Sequence, residues 1–167
     1  MVVETKVMAV TAAMAASDER ILYPLVADFI AGRGFSPATE VMYHGRKPYE
    51  IDVVGVRGHQ VLAVEVKLRY FSKAFQQAMK RLRHSDYVYM GFPMQYAAFA
   101  AQEYRKTINK FGFGIIGIGE DRSVEIVPPK HSKQLNNALK ERFIKDVKKQ
   151  GKVRRGMEVE DKPADAE

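Results

Sequence analysis

Apolar positions near the start of the chain recur at helical spacing. Between residues 21 and 29 they are three and four residues apart, which predicts an amphipathic helix. Ser17 or Asp18 would cap its beginning, and Gly32 would end it. Pro24 is compatible with this helix if the helix proper starts near it or kinks there.

The middle of the chain changes to strand spacing. The segment 37–44 predicts a short strand and 45–48 a turn, while "IDVVGV" and "VLAVEV" are β-rich runs joined by the hairpin signal "RGHQ". Further elements are expected as a helix over 71–83, a strand over 86–92, a helix over 94–110, a strand pair from "FGFGIIGIG" and "SVEIV", and a basic helix over 133–149. This order predicts an α/β protein with one mixed sheet flanked by helices.

The hairpin puts charged side chains inside apolar strands. If it turns on the two residues 58–59, Asp52 lies opposite Glu65, and Glu50 lies opposite Lys67. Alternation along a strand then predicts that all four side chains project from one face. Two opposed carboxylates destabilise a sheet unless a positive charge lies between them. Because Mg²⁺ takes oxygen ligands, including one or two carboxylates, the pattern indicates a divalent cation site.

A solvated sheet face is the alternative explanation. Glu50–Lys67 and Glu65–Lys67 ion pairs would then lie in water and contribute little to stability. The E-x-K spacing alone does not decide between the two, since it arises by chance in most proteins. The hairpin and the valines around the charges favour the functional hypothesis.

Length and composition favour one domain. The chain has 167 residues, of which 46% are hydrophobic and 28% charged, so we expect a lead-in over 1–16, a domain over 17–150 and a flexible acidic tail over 151–167. The absence of Cys excludes disulfides, thiolate metal sites and Cys nucleophiles. No apolar stretch suits a transmembrane helix and no typical secretory signal is visible, so we expect no membrane partner and a cytoplasmic location.

The chain is basic, with a formal net charge of +7 and a pI near 9.5, which favours a polyanionic partner such as DNA. The basic helix over 133–149 could follow a DNA backbone, or it could dock through its apolar stripe with its lysines in water. A second basic group follows the E-x-K motif and could contact phosphates or form a solvated face; its members are Arg69, Lys73, Lys80, Arg81 and Arg83.

The segment from Ser17 to Val127 resembles the PD-(D/E)XK, restriction-endonuclease-like nuclease superfamily, which includes archaeal Holliday junction resolvases. The resemblance lies in "DERILYPLVADFIAGRGF", the hairpin "IDVVGVRGHQVLAVEVK", a helix with "FQQAMKRL" and the strand "DYVYMGF". It implies a restriction-endonuclease-like mixed sheet and hydrolysis of DNA that depends on Mg²⁺ or Mn²⁺. It also implies a homodimer, since resolvases act as dimers.

The resemblance assigns roles to individual residues. Asp52 and Glu65 would bind the metal, with the carbonyl of Val66 as a further ligand. Lys67 would serve the attacking water. The Pro that gives the motif its first letter is absent, because Ile51 precedes Asp52.

Two supporting positions are implied with alternatives beside them. Gln77 matches a Gln frequent in the family's next helix, or it is a surface residue. Glu19 matches an acid that supports the metal or its waters, or it only complements the helix dipole. At the level of the whole protein, the alternatives are a catalytically inactive nucleic-acid-binding protein on the same scaffold and a subunit whose Met- and Phe-rich surface docks a larger complex.

Overall fold

The computed structural model of this chain describes residues 8–156, and its centre is one six-stranded sheet. The strands are β1 (Ser36–Tyr43), β2 (Tyr49–Arg57), β3 (Gln60–Val66), β4 (Tyr87–Pro93), β5 (Gly114–Ile118) and β6 (Ser123–Val127). They lie side by side in chain order. β1, β2 and β3 are antiparallel neighbours, β3, β4 and β5 run parallel, and β6 is antiparallel to β5.

Helices cover both faces of this sheet. They are α1 (Ala9–Ala16), α2 (Tyr23–Gly32), α3 (Phe71–Arg81), α4 (Met94–Glu103), α5 (Arg105–Phe111) and α6 (Asn137–Gln150), with a 3-10 helix (Glu19–Leu22) before α2. The predicted α/β class, with a mixed sheet flanked by helices, is therefore confirmed. No helix among residues 8–156 has the length and apolar character needed to cross a membrane.

Two predicted helices differ in detail. The first is split, because α2 begins at Tyr23 with Pro24 in its first turn, where the missing N–H costs nothing. Asp18, whose side chain accepts from the N–H of Arg20, caps the 3-10 helix instead. The helix expected over 94–110 is broken at Tyr104, whose ring stacks on Phe71 with centroids 3.9 Å apart.

The core has a layer on each side of the sheet. Val53, Val64 and Val66 pack under α1 and α2. On the opposite face α6 covers the side of the sheet that includes Val54 and Ala63. Helices α3, α4 and α5 cover β4 and β5 on that second face. The apolar strands are thus buried from both directions, so a charged side chain among them needs a partner.

Both boundaries of the predicted domain need correction. Ala13 of α1 is fully buried in the core, so the described part of the lead-in belongs to the domain. At the other end the carbonyl of Lys152 accepts from the N–H of Thr39 at 2.7 Å, and Arg154 pairs with Glu40 at 2.5 Å. Residues 151–156 are therefore not a flexible tail. The expectations for 1–7 and 157–167 lie outside the described residues.

The hairpin has the predicted register up to one point. Arg57 pairs with Gln60, and the ladder between β2 and β3 continues as expected to Val53 and Val64, where it ends. Beside that end, Glu40 of β1 has φ +55°, which is unusual for a side chain other than Gly. The alternation of faces is interrupted there, because Val53 packs under α2 whereas Ile51 packs under α6.

Candidate active site

Asp52 lies where β2 and β3 separate, and it is only 7% exposed. One carboxylate oxygen accepts from the Tyr23 hydroxyl and the other from the N–H of Val66, both at 2.7 Å. The ladder between β2 and β3 ends at Val64, and Val66 carries the next N–H of β3 that faces β2. The carboxylate of Asp52 accepts this N–H in place of a backbone carbonyl of β2. Sequence reasoning missed Tyr23, although it lies four residues after Glu19 and so one helical turn away.

Glu65 approaches the same point from the face of α3. It is 1% exposed, and its carboxylate accepts from Nε of Arg81 at 2.5 Å. The Arg81 guanidinium also lies 4.0 Å from the centre of the Tyr49 ring and donates to the carbonyl of Glu50. Tyr23 on α2 therefore holds Asp52, while Arg81 on α3 holds Glu65.

The prediction that Arg81 contacts phosphates from the surface is wrong. This side chain is 2% exposed and faces the sheet. The signal was present in the sequence, since Arg81 follows Ala74 and Ala78 at helical spacing and so belongs to the apolar face of α3. Its neighbours in the predicted basic group are exposed; they are Arg69, Lys73, Lys80 and Arg83.

Burial makes the acid pair hard to ionise. It raises the pKa of Glu65 to about 8, helped by the nearby charge of Asp52 and opposed by Arg81. Burial also raises the pKa of Asp52, although its hydrogen bonds from Val66 and Tyr23 act in the other direction. The pair therefore retains a proton near neutral pH, because the neighbouring cations do not offset the burial of both carboxylates.

This pKa predicts how stability depends on pH. The folded pKa of Glu65 lies above the ordinary value of 4.5, so its contribution to stability is present below that value and is lost as pH rises through about 8. Relative to Glu65→Gln, wild type should lose up to about 1.4 kcal/mol of unfolding free energy per pH unit across this window. Urea unfolding of both proteins at several pH values measures the difference, and parallel curves would contradict the prediction.

Lys67 and Glu19 complete the charged group. Nζ of Lys67 lies 3.2 Å from a carboxylate oxygen of Glu19, and the side chain of Lys67 is 16% exposed. The Lys67 backbone N–H donates to the carbonyl of Gly91, which fixes this residue at the end of β3. The Lys67 charge also acts to lower the pKa of Asp52. The structure thus brings Asp52, Glu65, Lys67 and Glu19 together.

Two expectations about this surface are wrong. The charged side chains do not project from one sheet face, because Asp52 bonds to α2 while Glu65 bonds to α3. The solvated-face alternative also fails for the acid pair, since both carboxylates are buried. Its ion pairs are replaced by Lys67–Glu19 and Arg81–Glu65, and Glu50 is exposed. The break in face alternation between Ile51 and Val53 explains the first difference, and the helices that cover both faces of the sheet explain the second.

Two polar atoms of α3 are buried without a hydrogen-bond partner among the described residues. They are Oε1 of Gln77 and Nη1 of Arg81, and their residues lie one turn apart on the same side of the helix. Buried polar atoms usually have a hydrogen-bond partner in folded proteins, so each of these two atoms is a position where a water, an ion or a ligand can bind. Gln77 is accordingly not a plain surface residue, since its acceptor oxygen faces inward.

The donors suit a hard cation with few protein ligands. Within residues 8–156 no group of three or more His, Asp or Glu side chains could hold a metal ion. The oxygen donors at this point are the two carboxylates of Asp52 and Glu65. Mg²⁺ commonly binds proteins through one or two carboxylates and keeps several waters. Two carboxylates are therefore a donor set that Mg²⁺ or Mn²⁺ can use, with waters as further ligands.

Comparisons with known proteins support the fold alone. No protein-family model matches this sequence, and a search of curated proteins finds no match. Among solved structures, the SPO1766 protein of unknown function from Silicibacter pomeroyi has a TM-score of 0.59 at 17% identity, covering 78% of this chain and 83% of that one. The AF1548 protein of unknown function has a TM-score of 0.47 at 19% identity, covering 59% of this chain and 57% of its own.

Proposed function

We propose that this protein is a PD-(D/E)XK-type nuclease that hydrolyses phosphodiester bonds of DNA with Mg²⁺ or Mn²⁺. The observation that carries the proposal is the buried Asp52–Glu65 pair, which lies beside Lys67. The cations around this pair do not suffice to keep both carboxylates ionised at neutral pH. Membership of that superfamily is part of the proposal and rests on the sequence resemblance. The homodimer implied by the resemblance and the cytoplasmic location stay predictions.

The acid pair has an evident cost for stability. A buried carboxylate pair is unfavourable, and Arg81 offsets only part of that cost, because the pKa of Glu65 is still raised to about 8. A sequence selected for stability alone would place Val or Ile at these positions, as it does on either side of them. Retaining both acids is explained if a cation binds between them.

Asp52 and Glu65 would hold the cation. The resemblance adds the backbone carbonyl of Val66 as a third oxygen ligand. When bound, a divalent ion would polarise the phosphoryl group and lower the pKa of a water. Tyr23 and the Val66 N–H fix the position of Asp52, and Arg81 fixes that of Glu65. These partners orient the carboxylates in advance of binding, as partners of metal ligands do.

Lys67 would act on the attacking water. Its ammonium group is positioned by Glu19 at 3.2 Å and by the end of β3. From there it can orient the water by hydrogen bonding and offset negative charge that develops on the phosphate. Glu19 is therefore proposed as a positioning residue for Lys67.

Metal binding tests this proposal directly. Calorimetric titration of wild type with Mg²⁺ should show one site. Asp52→Asn should weaken binding there by at least about tenfold, since even changing a residue that hydrogen-bonds to a metal ligand typically costs that much. At pH 7.5 binding should also release a proton, because Glu65 must ionise. The proton is measured by repeating the titration in buffers of different ionisation enthalpy.

The matched control is Glu103→Gln, which removes one exposed acid from α4 and should leave binding unchanged. Wild type that takes up no Mg²⁺ and does not cut plasmid DNA would contradict the proposal. If Glu103→Gln and Asp52→Asn weaken Mg²⁺ binding equally, the measured heat comes from nonspecific attraction of Mg²⁺ to negative charge and not from this site.

One observation favours a second candidate, a nucleic-acid-binding protein without catalysis on the same scaffold. Arg81 already pairs with Glu65, and both oxygens of Asp52 already accept hydrogen bonds. The pair is thus satisfied to a large extent without a cation. Wild type that binds DNA with the same affinity in Mg²⁺ and in EDTA, and never cuts it, would favour this candidate.

A further inference from the structure

A cleft of about 900 Å³ opens between the loop after β1, the end of α3 and one side of α6. Seven Lys or Arg side chains and a single carboxylate, Asp146, line it. The loop contributes Arg46 and Lys47, α3 ends with Lys80 and is followed by Arg83, and α6 contributes three more cations, Lys145 among them. The basic charge found in two separate parts of the sequence thus meets on one concave surface.

These seven cations give the cleft its positive charge. None of them forms an ion pair within the part of the chain that the structure describes. Their mutual repulsion disfavours the folded state, and low-dielectric walls strengthen the positive potential in a cleft. A polyanion that released its counterions there would bind favourably and with a strong dependence on salt.

The floor of the cleft is aromatic. The rings of Tyr43 and Tyr49 are stacked with centroids 4.9 Å apart, and Tyr43 also stacks on His84 at 4.7 Å. Burial lowers the pKa of His84 to about 3, so this ring stays neutral. The floor adjoins the acid pair, because Arg81 lies against Tyr49 and bonds to Glu65.

We propose that this basic cleft binds a single-stranded segment of nucleic acid and leads it toward the acid pair. A cationic groove with aromatic rings is how proteins hold single strands without sequence preference. A space of about 900 Å³ is of small-ligand size and would hold only a few nucleotides. Large exposed apolar residues lie outside the cleft, which disfavours a membrane surface as its occupant.

That the bound strand is a substrate rests on the proposed nuclease function, whereas binding of the strand in the cleft does not. Binding of a fluorescein-labelled oligothymidine, followed by anisotropy over a salt series in EDTA, measures it without cleavage. Lys145→Glu should weaken binding about tenfold and reduce the slope of log K against log salt by roughly 0.7. Lys148→Glu is the matched control, since it makes the same charge change on α6 outside the cleft.

Arg83→Gln tests the opposite wall and should also weaken binding, and circular dichroism melting shows whether each variant is folded. The proposal is overturned if Lys145→Glu and Lys148→Glu weaken binding equally. It is also overturned if wild type binds a DNA hairpin duplex or anionic phospholipid vesicles as tightly as the single strand. Binding in the cleft without Mg²⁺-dependent cutting would refute the nuclease and leave this inference standing.

Discussion

Lys67→Ala should reduce DNA cleavage by roughly 10²–10⁴-fold, the usual contribution of a group that positions or deprotonates a nucleophile. The side chain extends from the end of β3 beside the acid pair, and only Glu19 pairs with it among residues 8–156. Removing it leaves the carboxylates and their hydrogen bonds in place. Cleavage rates on plasmid and branched DNA in Mg²⁺ measure the loss.

Folding and binding should survive this substitution. The Lys67–Glu19 pair is partly exposed, and such pairs contribute little to stability. Oligothymidine binding in EDTA should therefore stay near the wild-type value, and Lys67→Arg should retain part of the activity. Glu19→Gln should give an intermediate rate if Glu19 only positions Lys67. Cleavage by Lys67→Ala at the wild-type rate would remove Lys67 from the mechanism.

Arg81→Met should produce the largest loss of stability. It leaves Glu65 buried without its cation, and breaking a buried pair from one side typically costs about 3–5 kcal/mol. The cost should be smaller at pH 5 than at pH 9, because Glu65, with a pKa of about 8, already carries a proton at pH 5 and is ionised at pH 9. Urea unfolding at both pH values measures the effect.

A second substitution separates the ion pair from the packing of Arg81 on Tyr49. Arg81→Met combined with Glu65→Gln should be more stable than the sum of the two single changes predicts, because the uncompensated charge is gone. Arg83→Met is the matched control, as it removes an exposed guanidinium two residues away. Additive single and double changes would show that the guanidinium contributes through packing alone.

Much of the fold was predictable because its signals are local. The two-residue turn over 58–59 predicted the hairpin register as far as Val53 and Val64, and Pro24 indicated where α2 begins. The break between α4 and α5 was not predictable, since it accompanies a ring contact between Tyr104 and Phe71, which are distant in sequence. The ion pair between Arg154 and Glu40 was not predictable for the same reason, because the two residues are 114 positions apart in sequence.

The acid pair and its lysine were identifiable from the pattern, but their arrangement was not. The assumption that alternation continues past the ladder put Asp52, Glu65 and Lys67 on one face. The alternation of faces instead breaks between Ile51 and Val53, beside the left-handed Glu40, and Tyr23 of α2 and Arg81 of α3 each hold one carboxylate. The partners Tyr23 and Arg81 come from helices whose approach depends on the packed core.

The amino-acid sequence by itself determined the strands and helices, the hairpin and the presence of two carboxylates in an apolar setting, because these depend on residues near one another in the chain. Only the tertiary structure decided which cations are buried and which are free. Arg81 and Arg83 differ by two positions in sequence, yet one is buried against Glu65 and the other lines an open cleft. The reason is that burial and electrostatic partners depend on distances in space, which packing of the helices on the sheet sets.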